Sequence, residues 1–370
     1  MKKTLVALAA ISAVTGAMAN ATIYGTLEQT YNKSTTSVGG SVTQTKTGIA
    51  EYQTGGSLIG FKGSEDLDGG LKASYLYEMG INLQTTASTY TNRQAFVGLS
   101  GVFGSLRIGK QYSAGFLNAV TADPGGATSA TGALYLAPMT GYNGSEAPLR
   151  QDQAIQWDLP SFAPGLKLTI TKVWGGKNTA LTNSAVTSET NGIKTGDGTG
   201  FAISYASGPL YAGYTTDTVT NAGINFGMND TAIAATTTAA EVPDTSTELF
   251  AASRTSKNKL NTGTLTYDLG MAKVGYNTTK MSVGPGTLST SMTSVNVPLG
   301  AASVFYSAST GKISSGSALG AVNLKGSQYG LNYALSKRTV ALAHAGRLTA
   351  TLTSTVKKVN NYGIGIHHSF

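Results

Sequence analysis

The chain has 370 residues and a formal charge of +8, yet only 12% of its residues are charged while 41% are hydrophobic. A soluble domain usually carries about 25% charged residues, so much of this surface is not built for water. The many Tyr, Leu, Ile and Val residues exclude a disordered chain, and the absence of Cys excludes a disulfide framework.

The first predicted element is a targeting segment, 1–19. Lys2 and Lys3 precede an apolar run from Leu5 to Val14, and Ala17-Met18-Ala19 follows. That order is a basic region, an apolar region too short to span a bilayer, and a small-x-small cleavage site. It predicts export, with the mature domain covering 20–370 and starting at Asn20. No other segment reaches the ~18 consecutive apolar residues of a membrane helix.

Alternation dominates the rest of the chain. In "ATIYGTLEQ", Ile23 and Leu27 oppose Tyr24, Thr26 and Glu28. In "LKASYLYEM", Leu71, Ala73, Tyr75, Tyr77 and Met79 oppose Lys72, Ser74 and Glu78. "LKLTIT" (166–171), "AKVGYN" (272–277) and "QYGLNYALS" (328–336) repeat the pattern, which is that of strands with one apolar and one polar face. Short turn signals fall at 65–70, 100–104, 159–165, 207–209, 268–270, 298–300 and 336–338. Longer polar stretches fall between them, at 34–50, 83–91, 113–149, 176–198, 217–256, 283–291, 309–326 and 347–358.

Short and long connections therefore alternate, and together they join sixteen strands. The predicted fold is all-β: a 16-stranded antiparallel transmembrane β-barrel with short periplasmic turns and long external loops. Lipid then takes the place of a charged outer surface. The polar faces turn inward, and an interior of that size is a water-filled channel rather than a packed core. The 18 Tyr residues suit girdles at the two membrane interfaces. The final segment, "YGIGIHHSF", alternates to its last residue. A barrel has to close on itself because lipid cannot satisfy a sheet edge, so this strand is expected to pair with the first.

Four separated stretches carry a family resemblance: "GFKGSEDLDGGLKASYLYEMG", "NRQAFVGLSGVFGSLRIGKQY", "YALSKRT" and "YGIGIHHSF". In order and spacing they resemble the general porins of the Neisseria and Burkholderia type. The resemblance implies a trimeric diffusion channel in the outer membrane of a Gram-negative bacterium, surrounded by lipid and lipopolysaccharide. It also implies a terminal strand (Tyr362, Ile364, Ile366, Phe370) read by the barrel assembly machinery. It further implies that the third external loop, 113–149, folds into the barrel and narrows it. That loop carries Asp123 and Glu146. The resemblance places Arg93, Arg150 and Lys62 on the facing wall of the constriction, with Glu78 among the inward positions. The family often has Arg before "IGFKG", whereas this chain has Leu58, so the expected anion preference is weak. Alternation by itself sets Arg93 on the same face as Ala95, Val97 and Leu99.

No catalytic pattern emerges. His367 and His368 are adjacent in a strand and point to opposite faces, so they cannot share a metal. His344 has no evident partner. Glu65, Asp66 and Asp68 read as a solvated turn, and no Ser-His-Asp order or phosphate-binding loop stands in a strand–helix context. Neither a cofactor nor a metal is expected. The positive charges are spread along strands rather than clustered with aromatics, which argues against nucleic acid. The expected solutes are ions and small hydrophilic molecules. Two other readings are a substrate-specific channel, for instance for organic acids, and an adhesin-like barrel with a passenger segment.

Overall fold

The computed structural model describes residues 21–51, 56–83, 90–126, 134, 149–174, 197–220, 257–283, 286–314, 321–352 and 355–370. The targeting segment 1–19, Glu146 and most of 176–198 and 217–256 lie outside these residues.

In chain order the strands are β1 (Thr22–Val38), β2 (Ser41–Ala50), β3 (Leu58–Asp66), β4 (Lys72–Ile81), β5 (Tyr90–Gly101) and β6 (Gly104–Tyr112). A short helix α1 (Ala114–Val120) follows, then β7 (Arg150–Asp158), β8 (Leu166–Val173), β9 (Gly198–Ser207), β10 (Leu210–Thr220) and β11 (Lys257–Asp268). The last six are β12 (Lys273–Val283), β13 (Gly286–Leu299), β14 (Ala302–Ile313), β15 (Val322–Ala334), β16 (Thr339–Leu352) and β17 (Thr355–Ser369).

Each strand pairs antiparallel with its neighbours, and β17 returns to β1 with matched pairs from Thr26↔Ser369 to Val38↔Lys357. The upper part of β1 pairs with β2 and its lower part with β3, so β2 and β3 share one position in the ring. The seventeen segments thus make a closed barrel of sixteen positions. Among the described residues no helix is long and apolar enough to cross a membrane.

All seven short connections are hairpins where the turn signals stand, on one rim of the barrel. The other rim departs from expectation in places. Stretch 34–50 is not a loop: β1 and β2 continue through it and turn at Gly39-Gly40, whose φ values are 58° and 94°. Two consecutive positive-φ residues make the tight hairpin turn that fits right-handed strand twist, and glycine adopts it without strain. Stretches 283–291 and 347–358 are likewise mostly strand. Polar Ser and Thr residues read as loop there because these strand ends leave the apolar band.

The two faces separate as the alternation requires. Outward residues include Ile23, Leu27 and Tyr31 on β1, Tyr306 on β14, Tyr329 and Leu331 on β15, and Tyr362, Ile364 and Ile366 on β17, all exposed. Inward residues on the same strands include Glu28, Thr30, Ser307 and Gln328, all buried. An apolar belt this continuous is lipid-facing surface. Toward the loop rim of β12–β15 the pattern inverts. Met281, Leu288, Ile313 and Leu324 are buried inside, while Lys280, Lys312 and Lys325 are exposed outside.

Candidate pore constriction

Two β-bulges shape the wall that carries the arginines. Between β4 and β5, Glu78 pairs with Gln94 but Met79 pairs with Asn92, so Arg93 is the extra residue. A bulge re-aims side chains locally. Val97 stays exposed to lipid while Arg93 turns inward and is buried, which strict alternation would not allow. A second irregularity between β6 and β7 sits beside Arg150 and includes Gln153 at φ 49°.

The inward groups form one connected wall. Arg93 Nε donates to Glu78 Oε1 at 2.8 Å, and Tyr24 Oη donates to Glu78 Oε2 at 3.0 Å. The terminal nitrogens of Arg93 and Arg150 both donate to the Tyr112 hydroxyl, at 2.7 and 3.0 Å. The Arg150 guanidinium also lies over the Tyr112 ring at 4.7 Å, and Lys62 Nζ over the Tyr24 ring at 4.9 Å. Tyr24 occupies the space that a side chain at Gly60 would fill. Three cations against one carboxylate leave this wall two charges positive.

The third loop leaves this wall and crosses the lumen. Ser113 caps α1 by accepting from the Phe116 amide at 3.0 Å, and the Phe116 ring stacks on Tyr112 with centroids 4.9 Å apart. The helix then docks on the far side: Tyr211 on β10 donates to Asn118, and Ser294 on β13 donates to the Ala122 carbonyl. Asp123 Oδ1 accepts from Gln328 Nε2 of β15 at 3.1 Å. Counting β2 and β3 as one position, β15 stands eight places from the β7 strand of Arg150, half-way round the ring of sixteen. Residues 113–126 therefore span the interior, as the infolded-loop expectation requires.

Lys62, Glu78, Arg93 and Arg150 are brought together, and Asp123 lies across from them. Leu58 is inward and buried in the same strand as Lys62. Tyr112, Gly60 and Ser294 belong to the assembly but drew no attention in the sequence, and Tyr24 and Gln328 were read there only as polar-face residues of their strands. Tyr24 could be placed inward by its parity. Tyr112 could not, because it ends a strand beside a bulge. A second inward cluster lies toward the short-turn rim. There Arg107 and Lys167 share Asp158, at 3.0 and 3.1 Å. At the seam, Phe370 exchanges both backbone hydrogen bonds with Gly25, at 3.0 and 3.1 Å. His367 points inward to Glu28 and His368 outward to Thr339, so the two histidines do diverge.

The chain is 37% identical over 166 residues to the major outer membrane protein P.IB of Neisseria meningitidis serogroup B, covering 44% of this chain and 47% of that protein. It thus spans about half the length of the curated relatives it matches. Among solved structures it is similar to an anion-selective porin from Comamonas acidovorans, with a TM-score of 0.71 and 19% identity over 95% of this chain and 100% of that one. It is also similar to Salmonella typhi OmpF in complex with daunomycin, at TM-score 0.66 and 14% identity over 95% and 97% of the two chains. At those identities the likeness is one of fold. The Gram-negative porin family model matches residues 4–351, nearly the whole barrel with its bulged arginine wall and crossing loop, and the chain belongs to that family.

Proposed function

We propose that this chain forms a water-filled channel in the outer membrane of a Gram-negative bacterium. It passes ions and small hydrophilic solutes by passive diffusion, with a weak preference for anions. The observation that carries the reading is the net-positive wall of Lys62, Arg93 and Arg150, facing a loop segment that crosses the lumen. Ions passing between them meet focused field from low-dielectric walls, while charges more than about 8 Å from the path are screened at physiological salt. Glu78 is tied up by Arg93 and Tyr24, and Asp123 by Gln328, so both acids oppose the cations only in part. Arg107 and Lys167 around Asp158 add one more net positive charge toward the periplasmic opening. The Comamonas porin of the same fold is described as anion-selective, which supports the sign.

The channel functions as a homotrimer embedded among outer-membrane lipid and lipopolysaccharide; an outer membrane protein of Vibrio cholerae with this fold is described in a trimer form. Tyr362, Ile364, Ile366 and Phe370 form the segment that the barrel assembly machinery recognises. The chain is a conduit and not an enzyme, and it needs no cofactor, metal or nucleic acid. The test is conductance in a planar bilayer under a salt gradient. A reversal potential displaced modestly toward that of the anion is expected. A silent bilayer, or a cation preference, would overturn the reading.

A further inference from the structure

The crossing segment lies very close to the wall that anchors it. Gly115, Asn118, Ala119 and Ala122, all buried, recur at the spacing of one helix face, and that face meets the wall. Apart from Asn118 they carry no more than a methyl group, whereas Leu117, on the opposite side, is exposed to the lumen. Two glycines of the wall lie beneath this face. Gly213, on β10, sits under Asn118, and Gly275, on β12, sits under Ala122. Both face the interior, since their neighbours Tyr214 and Tyr276 are exposed outside. β10 and β12 each stand seven places round the ring of sixteen from β3, the strand of Lys62.

Backbone conformation does not explain these two glycines. Neither has a positive φ, so any residue could adopt the same strand geometry there. Glycine weakens a strand interior, and it marks places where another part of the chain comes close. A methyl group on Gly213 would lie 2.9 Å from Asn118 Cγ. One on Gly275 would lie 2.9 Å from the Ala122 carbonyl oxygen and 3.1 Å from Ala122 Cα. Non-bonded carbons rest about 3.5–4.0 Å apart, so either methyl group would move the segment off the wall by about 0.5–1 Å. The anchors fix the spacing at both points. Tyr211, two residues before Gly213, holds Asn118, and Ser294, paired with Gly275 across β12 and β13, holds the Ala122 carbonyl. A displaced segment can only advance into the lumen, toward the cation wall.

We propose that Gly213 and Gly275 set the width of the channel. By carrying no side chain they let the crossing segment seat deep against β10 and β12, and so keep the lumen open in front of Lys62, Arg93 and Arg150. They act through the segment and touch no solute, so they are positioning residues. This deepens the channel reading above and rests on it, but it does not depend on the sign of the selectivity, because neither glycine carries charge.

The test uses the full chain with Gly213→Ala, Gly275→Ala and the double variant, beside Gly263→Ala on the outward face of β11 as a control. Heat-modifiable migration selects folded barrels, and single-channel conductance in a planar bilayer is read on those. Conductance should fall in each inward variant, fall further in the double, and stay at the wild-type value in Gly263→Ala. In liposome swelling, larger sugars should lose entry before smaller ones, which a mere loss of folded protein would not produce. In an Asn118→Ala background the atoms facing Gly213 are gone. There Gly213→Ala should no longer lower conductance, whereas Gly275→Ala, which meets the Ala122 backbone, still should. Unchanged or larger conductance in either single variant would overturn the proposal, as would a fall for Gly213→Ala that persists in Asn118→Ala. Failure of Gly213→Ala to fold would support the close seat if Asn118→Ala rescues it, and would overturn the proposal if it does not. A silent wild type would sink the channel reading itself, while a conducting wild type with unaffected variants sinks only the spacing role.

Discussion

At Arg93 and Arg150 the same residue type has two physical situations. Arg93 and Glu78 are both nearly sealed from solvent, with side chains 9% and 8% exposed. Removing one partner of such a pair leaves a buried charge uncompensated, at a cost of about 3–5 kcal/mol. Arg150 makes no ion pair among the described residues and is held by Tyr112 through one hydrogen bond and a ring contact. We therefore expect Arg150→Glu to move the reversal potential strongly toward cations at low salt while folded yield stays near wild type. Arg93→Gln should instead lower folded yield or thermal stability, with a smaller change in selectivity than Arg150→Glu, since it alters the wall by one charge where Arg150→Glu alters it by two. A potential that does not move in Arg150→Glu would show that its guanidinium lies off the ion path. Parity alone put Arg93 against lipid; only the bulge puts it inside, and a single inserted residue leaves no trace in a period-two pattern. Glu78, by contrast, was legible, because its stretch of β4 alternates cleanly up to that point.

Among the elements, α1 and the residues after it show how a loop becomes part of a wall. The helix has only seven residues, far too short to be stable alone in water. It persists because Ser113 caps it, Phe116 stacks on Tyr112, and Asn118, Ala122 and Asp123 are bonded to β10, β13 and β15. Gln328→Leu removes the amide that binds Asp123 and keeps the strand. It should loosen the loop's far end and appear as larger or noisier single-channel conductance with no loss of folded barrel; steps identical to wild type would mean that the other two contacts suffice. The short hairpins were readable because glycine, proline and acidic residues cluster at them for conformational reasons. The β1–β2 hairpin was not, because Ser, Thr and Lys on strands standing clear of the apolar band look like a polar loop. Only its Gly39-Gly40 pair betrays it.

For the whole molecule, the deficit of charge and the count of alternating connections were enough for class, strand number and the inside–outside assignment. They could not supply the crossing loop's anchors, which join residues as distant in sequence as Asp123 and Gln328. The seam belongs to this scale too. Phe370 packs over Gly25 and completes the backbone ladder there. Phe370→Ser should lower the heat-modifiable, folded fraction on a gel while leaving the conductance of the assembled channels unchanged. Equal folded fractions would remove any special role for the ring.

The pairing of β1 with β17 also carries a consequence for the order of events in time. Thr26 meets Ser369 across 343 residues of chain, while nearly every other strand pairs with its neighbour in chain order, many of them through short hairpins. Contacts of long sequence separation form late, because the entropy of closing the intervening chain is spent before they contribute. Hairpins can zip as soon as their two strands are present, but the first strand stays an open edge until the last arrives. Ring closure is therefore expected as the slow final step, so a lesion at the seam should show as a longer-lived open sheet and a lower assembly rate before it shows as a weaker finished barrel.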